Sequence, residues 1–422
     1  MAYLTEKTLS EVRRDLHAHP ETGWKEFRTT ALVAEELEER GYDVSLGANA
    51  VNVDGRLGVP EDEELAAAVE RARREGAPEA YLERQQKVTG LVAEQTFGDG
   101  SGPVVGVRVD MDALERAEAM DDEHRPAREG FASTHMGEMH ACGHDAHTAI
   151  GLGLAREFAG EVDFDGTLRL FFQPAEEGGR GGKPMSETDH ITDVDFLLAV
   201  HVGLDMETGT VDAARERPLP NAKVDVTFRG EPAHAGQNPQ AGRNALLTAT
   251  TAINNLYAIP RHSDGKTRIN VGHVHSPNPQ NIIPEEVEMR IEVRGGTTEL
   301  SDYMQGYAEQ IVQAAADMHN VDIETELYGK TTTFEADEYV ADVVATQAAT
   351  VAGVEEVFDR GAFSGSEDAS YLIRKVQQHG GEGTYVGIGA SNTFGHHHQR
   401  FDIDEDAIEI GVDVLARSVR SV

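Results

Sequence analysis

The sequence lacks the paired cysteines that a disulfide needs: Cys142 is the single cysteine in 422 residues. No intramolecular disulfide can form, which fits a reducing compartment and leaves the thiol for metal or catalysis. Basic charge is scarce, 37 Lys and Arg against 75 Asp and Glu, for a formal net charge of −38. That balance excludes nucleic acid and an anionic membrane as partners, since both need a basic face. Long apolar runs are missing too, so no segment has membrane-spanning length. The start, Met1-Ala2-Tyr3-Leu4-Thr5-Glu6-Lys7, has neither the basic flank nor the apolar core of a signal peptide. A cytoplasmic location is expected. The acid is spread over Glu35-Glu36, Glu38-Glu39, 61–64 and 402–409 rather than gathered in a tail. Diffuse acidity with little lysine fits a folded, halophilic protein whose self-repulsion is screened by concentrated salt.

What is present is organised around Met139-His140-Ala141-Cys142-Gly143-His144-Asp145-Ala146-His147. A thiolate and an imidazole separated by one glycine can turn towards one cation. The uncharged run 149–155 that follows reads as a buried helix behind them. The chain is long enough for two domains. Apolar strands are expected at 104–112, ending in Asp112, at 167–173, closed by a turn carrying Glu176 and Glu177, and at 195–201, ending in His201. Open α/β sheets collect ligands at that edge, so the strands predict one shared site. After Val211 the strands alternate, as those with one wet face do. Their β-α-β-β-α-β order over 218–332 predicts an inserted, smaller α+β (ferredoxin-like) domain. The catalytic α/β/α sandwich then comprises 1–217 and 333–422. A charged helical hairpin is expected over 60–86, and helices over 8–16 and 30–40.

Zinc-like cations take thiolate, imidazole and carboxylate ligands, and catalytic sites keep a position open for water. Cys142, His144, Glu177, His201 and one of His396, His397 and His398 would supply five. Five exceed one closed structural site, so two ions sharing a water is the better reading. Glu176 then stands beside them as general base and acid. Each group alone has a plainer explanation: a structural histidine, a solvated glutamate turn, a surface histidine tract. Their convergence at strand ends shifts the balance. His17 and His19 read as structural. Cys142 as a nucleophile with a histidine partner is the rival chemistry.

These residues resemble the M20 family of metal-dependent amidohydrolases and peptidases, in the subgroup whose first ligand is cysteine. The resemblance rests on 16–21, 108–114, 139–147, 173–178, 199–201, Pro232-Ala233-His234-Ala235-Gly236, 242–246, 281–284, 365–368 and 397–405. It implies a metal-dependent hydrolase for the amide of N-acyl or N-aroyl amino acids, p-aminobenzoyl-glutamate among them. It implies two Mn or Zn ions held by Cys142, His144, Glu177, His201 and His397, with Glu176 as general base. His234 would polarise the scissile carbonyl, and Asn281 and Arg294 would hold the substrate carboxylate. Asp110 and Asp112 fall behind the ligands. The inserted domain would act as lid and dimerisation surface, in a homodimer or with a related second subunit. The alternatives within that frame are a hippurate-type aminoacylase, a dipeptidase and a metal-binding partner subunit.

Overall fold

The computed structural model describes residues 2–160 and 163–422. Its contacts form two compact units: 1–217 with 334–363 and 368–422, and 218–333 with 364–367.

The first unit is built on an eight-stranded mixed sheet. Its order is Asp43–Leu46, Leu91–Phe97, Gly166–Gln173, Val104–Asp110, Phe196–Val202, Glu382–Ile388, Thr210–Asp212, Glu356–Phe358. The four strands at its centre, from Gly166–Gln173 to Glu382–Ile388, run parallel. Parallel strands need both faces covered, and the side chains divide accordingly. Leu198, Val200 and Val202 join one apolar cluster with the helices Leu9–Ala18, His144–Phe158 and Asp406–Val419. Leu197 and Ala199 join a second cluster with helix Ala369–Gln378. The result is the α/β/α sandwich read from the sequence.

The hairpin at 60–86 forms helices Asp62–Arg74 and Glu79–Gln85. It is not wholly solvated: Leu65, Ala68, Ala72 and Leu82 are buried in the second cluster. The helix expected from 30 starts earlier, at Phe27. The Glu21 carboxylate accepts from the Arg28 and Thr29 amides at 2.8 Å each, a cap delivered from a preceding turn. Strands Asp43–Leu46, Leu91–Phe97, Thr210–Asp212 and Glu356–Phe358 were not among the expected elements.

The second unit has the β-α-β-β-α-β order and an antiparallel sheet ordered Asp322–Lys330, Asn221–Arg229, Glu286–Gly295, Thr267–His275. Val287, Met289, Ile291 and Val293 point to helices Ala245–Leu256 and Thr298–His319. Ser364–Glu367 belongs to this unit although it lies outside the expected 218–332. Leu219 N donates to Gly365 O at 2.8 Å, and Ser366 Oγ donates to Leu219 O at 2.6 Å.

Candidate metal centre

The parallel strands deliver their C-terminal ends to one edge, and the polar residues follow from it. Helix His144–Phe158 begins there, with Gly143 at φ +90° as its N-cap. A side chain at 143 would be strained in that conformation and would meet Val202 Cγ2 at 2.7 Å. Glycine therefore lets Cys142 and His144 turn back against strand Phe196–Val202. Asp112, two residues past its strand, holds three groups at once. Its Oδ1 faces His144 Nδ1 at 3.3 Å and accepts from Glu176 N at 3.0 Å, and its Oδ2 accepts from Glu177 N at 3.0 Å. Ala175 before that pair is left-handed, at φ +51°. A non-glycine residue there costs on the order of 1–3 kcal/mol, which the Asp112 bonds help to offset.

Each imidazole has its tautomer set by a neighbour. His201 Nδ1 donates to Val202 O at 2.8 Å, which turns the lone pair of Nε2 to Cys142 Sγ, 3.5 Å away. His144 Nε2 is buried with no hydrogen-bonding partner. His147 Nε2 accepts from Val202 N at 2.9 Å, so its proton sits on Nδ1 and is given to Asp110 Oδ1 at 2.5 Å. Asp110 also pairs with Arg108, 2.7 Å away. His147 thereby ties the strand that carries His201, through Nε2, to strand Val104–Asp110, through Nδ1.

The histidine tract resolves by geometry. His397 N donates to Ala141 O at 2.7 Å, and the residue is left-handed at φ +66°. His397 Nε2 lies 3.3 Å from Glu177 Oε1. His396 turns inward: Nε2 accepts from Leu204 N at 3.0 Å, and Nδ1 is 3.6 Å from Cys142 Sγ. His398 stacks on Phe394 with ring centroids 4.4 Å apart.

The donor atoms of Cys142, His144 and His201 lie within 4.8 Å of one another. So do those of Cys142, Glu177 and His397, and of His144, Glu176 and Glu177. Cys142 is common to the first two groups. Burial, and then the charge of Glu177, push the Cys142 thiol up. Hydrogen bonds to Cys142 and Glu177 push His397 up to about 10. Burial, with the charges of His147 and His396, holds His201 well below the ordinary imidazole range. This is a place that favours added positive charge and keeps His201 as a neutral donor. Sulfur, nitrogen and oxygen donors with one orphaned imidazole nitrogen fit borderline divalent cations.

The remaining expected residues lie in the second unit. His234 is exposed, on a loop whose Ala235 N donates to Asn281 O at 2.9 Å and whose Ala233 O accepts from Ile283 N at 2.8 Å. His234 Nδ1 accepts from the amides of Gly236 and Gln237 at 3.2 and 3.1 Å, so its proton is on Nε2. Asn281 is exposed on the partner loop. Arg294 Nε and Nη2 donate to Glu292 at 3.1 and 3.0 Å. His17, expected to be structural, is buried between Asp145 at 2.8 Å and Glu118 at 3.0 Å. The anchoring work of His147 and His396 was not read from the sequence. For His147 a signal existed, since three residues after His144 puts it on the same helix face.

The candidate ligands gather at the C-terminal edge of an α/β sheet, and comparison with known proteins gives the family. The model of Peptidase family M20/M25/M40 matches residues 106–421, and the chain belongs to that family of hydrolases. It is 43% identical over 415 residues to one subunit of the p-aminobenzoyl-glutamate hydrolase of Escherichia coli (strain K12), covering 97% of this chain and 94% of that one. It is 43% identical over 411 residues to indole-3-acetyl-aspartic acid hydrolase of Enterobacter agglomerans, with coverage of 97% and 94%. The crystal structure of the aminobenzoyl-glutamate utilization protein from Klebsiella pneumoniae matches with a TM-score of 0.84 at 36% identity, over 98% of this chain and 95% of that one. The M20 resemblance read from the sequence is thus met along nearly the whole chain. No helix among the described residues is long and apolar enough to cross a membrane.

Proposed function

We propose that this protein hydrolyses the amide between an aromatic acid and an acidic amino acid, with p-aminobenzoyl-glutamate the first substrate to test. The observation that carries the chemistry is the convergence of Cys142, His144, Glu177, His201 and His397 beside Glu176. The two named relatives support the substrate class, for each name joins an aromatic acid to glutamate or aspartate.

Cys142, His144, Glu177, His201 and His397 would hold two divalent ions, Mn or Zn. Bound ions supply Lewis-acid activation of water and of the carbonyl. The chain's own residues do the rest. Glu176, kept in place by Asp112, takes the attacking water's proton on its carboxylate and returns it to the leaving nitrogen. His234, protonated on Nε2, is the donor proposed for the developing oxyanion. Asn281 and Arg294 are proposed to meet the substrate carboxylate, with Arg294 shared between it and Glu292. The second unit is proposed to serve as lid and dimerisation surface, in a homodimer or with a related second chain. Diffuse acidity supports a salt-adapted enzyme, and the single cysteine supports a reducing, cytoplasmic setting.

The test is purification in high salt, metal analysis, and hydrolysis of p-aminobenzoyl-glutamate, hippurate and a dipeptide. Preference for the aroyl-glutamate, lost on chelation and restored by Mn²⁺, is the expected result. Activity indifferent to chelators would sink the proposal and favour Cys142 as nucleophile. Preference for hippurate or the dipeptide would move the substrate class. Glu176→Gln should retain both ions while turnover falls about 10²–10⁴-fold; unchanged turnover would remove Glu176 from its role.

A further inference from the structure

The histidine tract contains a group that the proposed reaction leaves unused. His396 is half-buried beside Phe401, His201 and Cys142, with its ring centroid 4.9 Å from that of Phe401 and 5.1 Å from that of His201. Its two nitrogens meet opposite kinds of atom. The Leu204 amide can only donate, so Nε2, 3.0 Å away, must accept. A neutral imidazole then carries its proton on Nδ1, and Nδ1 faces Cys142 Sγ at 3.6 Å. The ring is thus locked as an N–H donor to sulfur and has no lone pair to offer a cation. Its neighbour His397 faces both Glu177 and Cys142.

We propose that His396 is a positioning residue that donates a hydrogen bond to the Cys142 thiolate and tunes it as a metal ligand. This rests on Cys142 being a ligand, as proposed above. Hydrogen bonds to a ligating sulfur draw electron density from it and adjust the metal it binds. Such a bond to a ligating thiolate would weaken sulfur donation and leave a bound ion more acidic towards water and carbonyl. It would also fix the Cys142 rotamer, because the Leu204 amide fixes the imidazole.

The experiment uses the whole enzyme loaded with Co²⁺, whose thiolate charge-transfer band reports sulfur donation directly. Three variants separate the two ends of the ring. His396→Leu removes both hydrogen bonds. His396→Gln places an acceptor near Leu204 N and loses the donor to sulfur. His396→Asn keeps an N–H near the Nδ1 position and loses the acceptor. The band should move to longer wavelength in the Leu and Gln variants and stay near the wild-type position in Asn. All three should still bind two ions, and kcat should fall about 10-fold in Leu and Gln with KM little changed. A band that does not move in Gln, or moves equally in Gln and Asn, overturns the proposal. Loss of one ion from every variant also overturns it, because His396 would then be a ligand. Wild-type protein with no thiolate band would instead reject Cys142 as a ligand, a failure of the underlying reading that is separately visible. If Leu does not fold, the Gln and Asn pair decides alone.

Discussion

At the scale of single residues, the candidate centre depends on groups outside the proposed ligand set. Asp112 orients His144 and pins the amides of Glu176 and Glu177. Asp112→Ala should lower metal affinity and turnover together, by about 10–100-fold. It should also cost roughly 1–3 kcal/mol of stability, since buried donors lose their acceptor. Metal titration and urea unfolding check the two halves; wild-type affinity would show that the carboxylate is dispensable. Most of the candidate ligands were legible because they follow the end of an apolar strand or stand at the start of a helix, whereas His397 lies in a loop nine residues past Glu382–Ile388. Their partners were less so. Asp110 and Asp112 fall two apart at a strand end, which showed a shared direction but not three simultaneous bonds. His396 could not be separated from His397 by type, and the Leu204 amide that separates them is 192 residues away in sequence.

Among the elements, the helical hairpin is tied down by His135. Its Nδ1 donates to Pro20 O and its Nε2 to Glu75 Oε1, both at 2.7 Å, which needs the doubly protonated ring. Burial opposes that charge, but hydrogen bonds to Glu138 and Glu75 push His135 up to about 9. His17 is likewise pushed to about 9 by Asp145 and Glu118 against burial. A raised folded-state value stabilises fully below the unfolded value of about 6.5 and ceases to do so as pH rises through the folded one. Melting temperature should therefore fall between about pH 6.5 and 9. His135→Gln should be less stable at pH 6 and show a shallower alkaline decline, with His17 supplying what remains. An unchanged slope in thermal melts across that range would contradict the assignment. The long elements were readable from periodicity, as in the alternating Glu286–Gly295 strand. Helix Phe27–Glu39 was read three residues late because its cap is Glu21, beyond the reach of local capping rules. Three-residue strands such as Thr210–Asp212 have no period to read, and only their neighbours in the sheet define them.

For the whole molecule, the net charge of −38 sets the response to solvent. Screening shortens from about 10 Å at 0.1 M salt to about 3 Å at 1 M. The melting temperature should rise with KCl over that range, as self-repulsion is removed. A flat or falling curve in scanning calorimetry would end the case for salt adaptation. The division after Val211 was visible as a change from buried to half-wet strands. The return of Ser364–Glu367 to the second unit was not, because backbone bonds between loops leave no pattern in side-chain type.

The order of strands has a consequence for synthesis. Glu382–Ile388 lies between Phe196–Val202 and Thr210–Asp212, so the middle of the sheet is made last. While the ribosome works through the intervening residues, one edge of Phe196–Val202 stands open. It is a template for any strand that reaches it, including one from a neighbouring nascent copy. Like charge spread along the growing polypeptide holds such copies apart until their own late strand arrives. The acidity of the sequence would thus guard the molecule before it is finished.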